Sequence, residues 1–242
     1  MVTAIMAAGK GTRMKSDLPK VIHKLNGRPM VHYVIELAQR LQSQKTILII
    51  GHKSDMVEEV CQGMNVEFAL QKEQLGTGHA VQMTEPLLRD FDGDVLVLSG
   101  DVPLLTVETL MDLVKGHHKH SAVATLLTSE LDNPTGYGRV VRNREGFVQK
   151  IVEHKDSSPD ELKINEINVG IYIFDAKNLF RALKLVDNNN AQGEYYLPDV
   201  ISIFINDGKK VNAVKTKNFD ETRGINNIEQ LKKAETILKS RS

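Results

Sequence analysis

The sequence of 242 residues predicts an α/β protein with a Rossmann-like, mixed but mostly parallel sheet that is flanked by helices. Apolar runs rich in β-branched residues alternate with helical patterns through the first half of the chain. These runs are continuous rather than alternating, as expected for strands that are covered on both faces. The first run, Val2–Ala8, stops at two closely spaced glycines, Gly9 and Gly11, an order typical of the first strand end in α/β proteins that bind nucleotides.

Strands and helices alternate along the first half. Between the first two strands, apolar residues recur at helical spacing after Pro29, a residue favoured in the first turn of a helix. Ser54 and Thr106 are predicted to cap the two helices that follow. This alternation indicates βαβ units and therefore a mostly parallel sheet. The predicted strands are Val2–Ala8, Thr46–Ile50, Val66–Leu70, Val95–Ser99 and Ala122–Thr128.

The pattern changes at about residue 135, where a β-hairpin is predicted around the turn Asn143–Gly146. We predict a single domain over residues 1–242, with a first half at about 1–130, a smaller β-rich half at about 131–225, and a C-terminal helix within 226–242. The elements predicted after the change are strands at Arg139–Arg142, Phe147–Val152, Ile167–Asp175 and Val211–Lys215, and helices at Ala176–Leu185, Leu197–Asn206 and Ile228–Lys239.

Composition excludes several classes of protein. The 31 acidic residues balance the 31 basic residues, which disfavours general binding to nucleic acid or to anionic membranes. No apolar stretch is long enough to span a bilayer, and the N-terminus lacks the features of a secretion signal. The single cysteine, Cys61, rules out an internal disulfide and favours a cytoplasmic location; its apolar neighbours predict a packed residue rather than a nucleophile.

The loop after the first strand carries the residues of a phosphate site. Thr12, Arg13 and Lys20 follow the two glycines and supply a hydroxyl, a guanidinium and an ammonium group. Glycines allow backbone N–H groups to approach a ligand, and the cations suit a polyphosphate. The spacing matches neither a dinucleotide fingerprint, which needs glycine where Met14 stands, nor a Walker loop, which needs Ser or Thr directly after Gly-Lys. The remaining alternative is an ordinary tight turn with surface charges.

Polar residues follow two other predicted strands. Asp101 comes after Val95–Ser99 and could hold Mg²⁺, which prefers oxygen ligands, or could make a simple turn hydrogen bond. Gln71 follows Val66–Leu70, and its amide has the donor and acceptor needed to pair with the edge of a pyrimidine base. A glutamine at a strand end is also commonly just solvated, so this second assignment depends on its surroundings.

Two further groups of polar residues lie near helix ends. Asn227 with Gln230 fits a helix-capping pattern, which leaves the carboxamide of the adjacent Asn226 as a candidate ligand. His117–His120 could suggest a metal site, but adjacent side chains diverge and basic residues suit the carboxyl end of a helix. We therefore predict a solvated helix end there.

Taken together, these motifs resemble those of a known family. Residues 7–14 with residues 18–20 resemble the signature of the nucleotide-sugar pyrophosphorylases. Over about residues 2–235 the chain is similar to the uridylyltransferase domain of bacterial N-acetylglucosamine-1-phosphate uridyltransferases, which implies the nucleotide-diphospho-sugar transferase fold. Further segments in family order and spacing are Gln74–Ala80, Gly100–Leu104, Pro134–Arg139, Ile151–Asp156, Glu166–Gly170, Asn188–Tyr196 and Gly224–Asn227.

The sequence departs from this family in residue type and in length. Met6, Ser99 and Val169 stand where the family usually has Leu, an aromatic residue and Thr, which bears on affinity more than on the type of reaction. Bifunctional members continue into hexapeptide repeats that acetylate glucosamine 1-phosphate, and no such repeats occur here. We therefore expect a monofunctional enzyme or a fragment, and we assign no acetyltransferase activity.

The resemblance implies that UTP and N-acetylglucosamine 1-phosphate react to give UDP-N-acetylglucosamine and pyrophosphate, in a cytoplasmic enzyme that uses Mg²⁺. It implies that residues 1–130 bind the nucleotide and residues 131–225 the sugar, with no nucleic acid or membrane partner; no oligomeric state is predicted. The implied catalytic residues are Arg13, Lys20 and Asp101, and the implied metal ligands are Asp101 and Asn226. The implied nucleotide-binding residues are Met6, Ala7, Ala8, Gly9, Gly11, Thr12, Gln71, Gly76, Thr77, Ser99 and Gly100. The implied sugar-binding residues are Gly138, Glu153, Asn168 and Asn226, with Tyr137 and Tyr195 nearby.

Other functions remain open on the sequence. A related nucleotidyltransferase could use another nucleoside triphosphate or another sugar 1-phosphate, although Gln71 with Gly76 favours uridine and Glu153 with Asn168 favours an acetamido sugar. A non-catalytic nucleotide-sugar sensor would be expected to lack Arg13, Lys20 or Asp101, and all three are present. An assembly module would have no use for so many polar residues at strand ends.

Overall fold

The computed structural model describes residues 1–152, 154–190 and 192–241. Within these residues, no helix combines the length and the apolar character that crossing a membrane requires. The helices are α1 Met30–Arg40, α2 Ser54–Val60, α3 Thr77–Gln82, α4 Val107–His120, α5 Ala176–Leu183, α6 Asp199–Asn206 and α7 Ile228–Arg241. The strands are β1 Val2–Met6, β2 Lys24–Leu25, β3 Arg28–Pro29, β4 Thr46–Ile50, β5 Glu67–Leu70, β6 Asp94–Ser99, β7 Ala124–Glu130, β8 Arg139–Arg142, β9 Val148–Val152, β10 Glu166–Asp175 and β11 Val211–Lys215.

Nine of these strands form one mixed sheet, in the order β11-β7-β10-β6-β1-β4-β5, with β8 and β9 joined at β10. β1 is parallel to both β4 and β6, β4 is parallel to β5, and β7 is parallel to β11. β10 is antiparallel to β6, β7 and β8. This topology confirms the predicted mixed, mostly parallel sheet, and it brings the carboxyl ends of β1, β4, β5 and β6 to one edge.

Hydrophobic side chains cover the sheet on both faces. On one face Ala4, Ile47 and Val97 are fully buried, and on the other face Ile5 and Leu48 are fully buried. Both faces of the central strands are therefore apolar, which is the physical reason for the continuous apolar runs in the sequence. A third, smaller cluster packs α7 against β2 and the loop after β6; it contains Leu25, Met30, Leu104, Ile225 and Ala234.

Most predicted elements are present, with differences at their ends. Thr106 caps α4, since its side chain accepts a hydrogen bond from the backbone N–H of Thr109 at 3.3 Å. The predicted cap at Ser54 is wrong: Ser54 is the first residue of α2, and Lys53 precedes it in a left-handed conformation with φ 52°. Strand β1 ends at Met6 rather than at residue 8, because the chain turns there into the glycine loop.

The prediction of a solvated helix end at residues 117–120 is wrong for His117, which is buried. Its ring lies 3.0 Å from Thr125 and 3.4 Å from Asp94, and His118 lies 2.6 Å from the other carboxylate oxygen of Asp94. The last turn of α4 packs on the start of β6, so both rings turn towards that carboxylate. Hydrogen bonding by His117 and His118 outweighs burial and lowers the pKa of Asp94 to about 2.

Cys61 is buried, as predicted, and burial raises the pKa of its thiol to about 11. The reactive thiolate is therefore scarce at neutral pH, and this residue serves packing rather than chemistry.

Candidate active site

Two cavities open at the edge of the sheet where the parallel strands end. The first, of about 450 Å³, is bounded by the loop after β1 and the segment after β5. The second, of about 340 Å³, lies between β10 and α7. Met6, Ser99 and Asp101 line both cavities. Two ligands bound side by side would therefore meet at the end of β6.

The glycine loop brings Lys20 into this junction. Gly11 has φ +63°, and a Cβ atom there would lie 2.5 Å from the Cβ of Lys20. Only glycine allows the loop to pass this closely over the short 3-10 turn that begins at Lys20. The predicted tight turn thus has a positional role, since it fixes the backbone that carries the ammonium group.

A cluster of charged and polar groups occupies the junction. The ammonium group of Lys20 pairs with Oδ2 of Asp101 and donates to Oδ1 of Asn226 at 2.9 Å. Arg13 donates to the same Asn226 oxygen at 2.8 Å, and Ser99 donates to Oδ1 of Asp101 at 2.6 Å. Within this cluster two cations face one carboxylate, so the junction carries net positive charge and favours anionic ligands.

The backbone around α7 holds Asn226 at this position. The N–H of Ile225 donates to the carbonyl oxygen of Asp101 at 2.8 Å, which joins the start of α7 to the end of β6. Asn227 accepts from the N–H of Gln230 at 2.8 Å, and Gln230 in turn accepts from the N–H of Asn226 at 2.7 Å. Asn227 is therefore the cap, as predicted, and the carboxamide of Asn226 is left to face the charged cluster.

The oxygen atoms in this cluster fit a hard divalent cation. Oδ2 of Asp101 and Oδ1 of Asn226 converge on a single cation, the ammonium group of Lys20. Carboxylate and amide oxygens are the ligands that Mg²⁺ takes, and Mg²⁺ commonly uses one or two protein ligands together with substrate phosphates. Among the described residues, no group of three or more His, Cys, Asp or Glu side chains is placed so that it could hold a metal ion by itself.

In the first cavity, Gln71 lies at the end of β5 with its side chain turned inward. The residue is only 3% exposed, and its Nε2 donates to the carbonyl oxygen of Gly76 at 3.0 Å. Nε2 also lies 3.1 Å from Nδ1 of His79. The structure thus removes one alternative for Gln71, that of a solvated side chain at a strand end.

A segment from the second half of the chain closes this cavity. The N–H of Tyr195 donates to Leu75 at 2.7 Å, and the carbonyl of Tyr195 accepts from Gly78 at 2.8 Å. The N–H of Leu197 donates to the hydroxyl of Thr77 at 3.0 Å. Gly76 has φ +112°, and a Cβ atom there would lie 2.5 Å from the carbonyl oxygen of Tyr195, so the glycine permits this close crossing.

The second cavity depends on an irregularity in β10. The pairing of β10 with β7 shifts register between Asn168 and Tyr172, and Gly170 between them has φ +79°. The side chain of Asn168 donates to the hydroxyl of Tyr172 at 2.7 Å, and its N–H donates to the carbonyl of Gly138 at 3.0 Å. The bulge therefore turns Asn168 towards the cavity and joins it to the loop before β8.

The structure brings most of the predicted site residues to the two cavities. Gly11, Thr12, Arg13, Gly100 and Gly138 do not line either cavity. Gly100 packs against Val21, Arg13 reaches the charged cluster through its hydrogen bond to Asn226, and the carbonyl of Gly138 accepts from the N–H of Asn168. Glu153 lies outside the described residues. The predicted residues that line the first cavity are Met6, Ala7, Ala8, Gly9, Lys20, Gln71, Gly76, Thr77, Ser99 and Asp101. Those that line the second are Met6, Ser99, Asp101, Tyr137, Asn168 and Asn226.

Several lining residues were not among the predicted site residues. In the first cavity these include Lys10, Gln74 and Glu194, all of which lie inside motifs used for the resemblance. In the second cavity, Phe219 packs edge-on against Tyr137 at 6.0 Å, and the guanidinium of Arg223 lies 4.6 Å from the Phe219 ring. No local pattern marks these last two, because only the packing of α7 brings the preceding segment to the cavity mouth.

Comparison with known proteins agrees with this geometry. Residues 2–221 match the family model described as nucleotidyl transferase, and the chain belongs to that family. A solved structure of UDP-glucose pyrophosphorylase complexed with UDP-glucose superimposes over 100% of both chains with a TM-score of 0.79, at 17% sequence identity. This likeness demonstrates the shared fold.

Two curated relatives are proteins named bifunctional protein GlmU. The chain is 53% identical over 237 residues to the protein from Streptococcus suis and 53% identical over 237 residues to the protein from Streptococcus gordonii. In each comparison 98% of this chain is covered, but only 51% of the relative. The chain thus spans about half the length of the curated relatives it matches.

Proposed function

We propose that the chain is an N-acetylglucosamine-1-phosphate uridylyltransferase, which forms UDP-N-acetylglucosamine and pyrophosphate from UTP and the sugar 1-phosphate. The observation that carries this proposal is the meeting of two cavities at Asp101, beside Lys20 and Arg13. Two polyanions that react with each other need separate pockets and a shared positive centre. The 53% identity of this chain to a GlmU protein supports this particular pair of substrates.

In this proposal the first cavity binds UTP. Gln71 and Gly76 contact the uracil, and Thr77 contacts the ribose. The loop of Ala7, Ala8 and Gly9 runs beside the triphosphate, where a Cβ atom at Gly9 would meet nothing within 4 Å. The open side of that glycine leaves space for a ligand to approach the backbone closely.

The second cavity binds the sugar phosphate in the same proposal. Asn168 and the backbone of Gly138 contact the amino sugar, and the resemblance adds Glu153 to this group. Tyr137 stands at the mouth of the cavity, where its ring supplies an apolar surface to the sugar. Asn226 lies between the sugar pocket and the charged cluster.

Catalysis then consists mostly of positioning and charge neutralisation. A phosphate oxygen of the sugar phosphate attacks the α-phosphorus of UTP in line, and pyrophosphate leaves as the bond to the β-phosphate breaks. Arg13 and Lys20 neutralise the triphosphate and the departing pyrophosphate. To do this, Lys20 exchanges its contact with Asp101 for phosphate oxygens.

Asp101 and Asn226 are the residues that would hold Mg²⁺. When bound, the ion would neutralise charge on the two anionic substrates and on the transferred phosphoryl group. Ser99 would contribute indirectly, because its hydroxyl holds one oxygen of Asp101 and leaves the other available.

A substrate panel tests the proposed function. The chain is incubated with Mg²⁺, one of UTP, CTP, ATP or dTTP, and one of N-acetylglucosamine 1-phosphate or glucose 1-phosphate. Pyrophosphate release gives the rate, and mass spectrometry identifies the product. We expect UTP with N-acetylglucosamine 1-phosphate to have the highest kcat/KM, by at least tenfold. A higher kcat/KM for a different pair, or no product from any pair, would contradict the proposal.

The organisation of the chain follows from the same proposal. Residues 1–130 act as the nucleotide-binding half and residues 131–225 as the sugar-binding half of one domain, with the terminal helix closing the sugar side. A cytoplasmic location, where nucleoside triphosphates are available, completes the proposal.

A further inference from the structure

The amide of Gln71 has a fixed orientation. The group 3.0 Å from its Nε2 atom is the carbonyl oxygen of Gly76, which can only accept a hydrogen bond. The amide NH₂, and not the amide oxygen, must therefore point at Gly76. The side chain is buried, so a reversed amide would place two oxygen atoms together without water to separate them.

The second proton of that NH₂ group points at His79. Nδ1 of the ring lies 3.1 Å from Nε2 of Gln71. Because Nε2 is a donor, Nδ1 must be the acceptor, and the neutral ring must carry its proton on its own Nε2 atom. The ring of Tyr195 is a neighbour of this imidazole, with 6.4 Å between the two ring centroids.

One polar atom of Gln71 is then left for a ligand. Both amide protons of Gln71 are directed at groups of the protein, the Gly76 carbonyl and the His79 ring. The amide oxygen, Oε1, makes no hydrogen bond to another described residue. Gln71 lines the first cavity. The side chain therefore presents an acceptor, without a competing donor, to the ligand.

We infer that His79 is a positioning residue that selects uracil over cytosine by holding the Gln71 amide in this orientation. Uracil carries an N3–H donor that an amide oxygen can accept. Cytosine has a lone pair at the same ring position, which would face the oxygen and repel it. A site built to receive a hydrogen bond discriminates most strongly against the analogue that lacks the donor. This inference rests on the proposed binding of UTP in the first cavity.

A matched pair of variants tests the positioning role. His79→Phe keeps a ring of similar size but removes the acceptor, whereas His79→Asn can place its side-chain oxygen near the position of Nδ1. The readout is the ratio of kcat/KM for UTP to kcat/KM for CTP, which a general loss of stability would not change. We expect the ratio to fall about fivefold in His79→Phe, as for the loss of one hydrogen bond, and to stay within twofold of wild type in His79→Asn. A ratio in His79→Phe that matches wild type within twofold would overturn the inference.

Nuclear magnetic resonance of the wild-type protein tests the same inference without substrate and without a variant that must fold. Long-range ¹H–¹⁵N correlations of histidine rings distinguish the two neutral tautomers, and sequential assignment identifies the His79 signals. We expect a ring protonated at Nε2 with an unprotonated Nδ1 at pH 8. A ring protonated at Nδ1 would overturn the inference. Since this measurement uses the free protein, it is independent of the wild-type turnover of UTP that tests the proposed function.

Discussion

Lys20 is held between two oxygen atoms, one from the end of β6 and one from the start of α7. Its side chain is 17% exposed, so the ammonium group is accessible from the cavities but shielded from bulk solvent. A cation in that position counters charge more effectively than one at an exposed site, because the surrounding dielectric constant is lower. The proposed neutralisation of phosphate charge therefore depends on this one ammonium group and its two oxygen partners.

Removing either partner of the Lys20–Asp101 pair should reduce turnover without abolishing the fold. We expect Lys20→Ala and Asp101→Asn each to lower kcat at least a hundredfold, which corresponds to about 3 kcal/mol of barrier. Pyrophosphate release measures the effect, with circular dichroism as the check on folding. Lys177→Ala, which removes an exposed ion pair with Asp92, is the matched control and should stay near wild type. A catalytic variant within tenfold of wild type would show that the assigned role is wrong.

The close crossing of Tyr195 over Gly76 makes a second residue-level prediction. Gly76→Ala should destabilise the fold by about 2 kcal/mol, since φ +112° is strained for alanine and the new methyl group would collide with backbone atoms. Urea denaturation measures the change, and Gly9→Ala, where the methyl group meets nothing, provides the comparison. Equal stability of the two variants would mean that the crossing is not tightly packed.

At the level of elements, the end of α4 is attached to the start of β6 through Asp94. The carboxylate faces His117 and His118, and its pKa is lowered to about 2. A carboxyl group with a lowered pKa in the folded state stabilises the protein above its unfolded pKa of about 3.8. That contribution is lost as the pH falls through the folded value.

Asp94→Asn should therefore lower the free energy of unfolding by about 2 kcal/mol at pH 7, and the difference from wild type should shrink by about half at pH 3. Urea denaturation at the two pH values measures this. Asp92→Asn serves as the control, because Asp92 makes only an exposed pair and should cost less than about 0.5 kcal/mol. A difference that grows on acidification would contradict the assigned cause.

The elements differ in how well the sequence predicts them. The central strands and α1 are predictable because burial on one or both faces leaves a regular apolar pattern, as Val31, Val34 and Ile35 do in α1. The buried position of His117 cannot be predicted in this way, because the carboxylate that its ring faces belongs to Asp94 in β6, which is remote in sequence. The bulge at Asn168 is likewise a property of pairing with β7 rather than of local composition.

For the whole molecule, the first cavity is lined by residues from both halves of the chain. Gln71 and Thr77 come from the first half, whereas Glu194 comes from the second. A ligand bound there should therefore stabilise the fold globally. At a concentration of UTP a hundred times Kd, with Mg²⁺, we expect about 2.7 kcal/mol of added stability and a rise in Tm of about 5–10 °C. Differential scanning fluorimetry measures this shift. An equal rise with ATP, or none with UTP, would count against a uridine pocket in this cavity.

For the whole molecule, the sequence predicts where the site lies better than it predicts which residues line it. Strand-end residues such as Asp101 and Gln71 are predictable, because parallel strands bring their carboxyl ends together. The contributions of Phe219 and Arg223 are not, since they depend on how α7 packs back onto the sheet. The glycine loop marks Lys20 in the sequence, but its contacts with Asp101 and Asn226 have no local signal, because these partners are far from it along the chain.

The most direct test of the central claim is a crystal structure of the chain with UDP-N-acetylglucosamine and Mg²⁺. We expect the uracil to lie beside Gln71 and Gly76, the sugar beside Asn168, and the diphosphate next to Asp101 and Lys20. A nucleotide sugar bound at a different surface, with the junction of the two cavities empty, would contradict it.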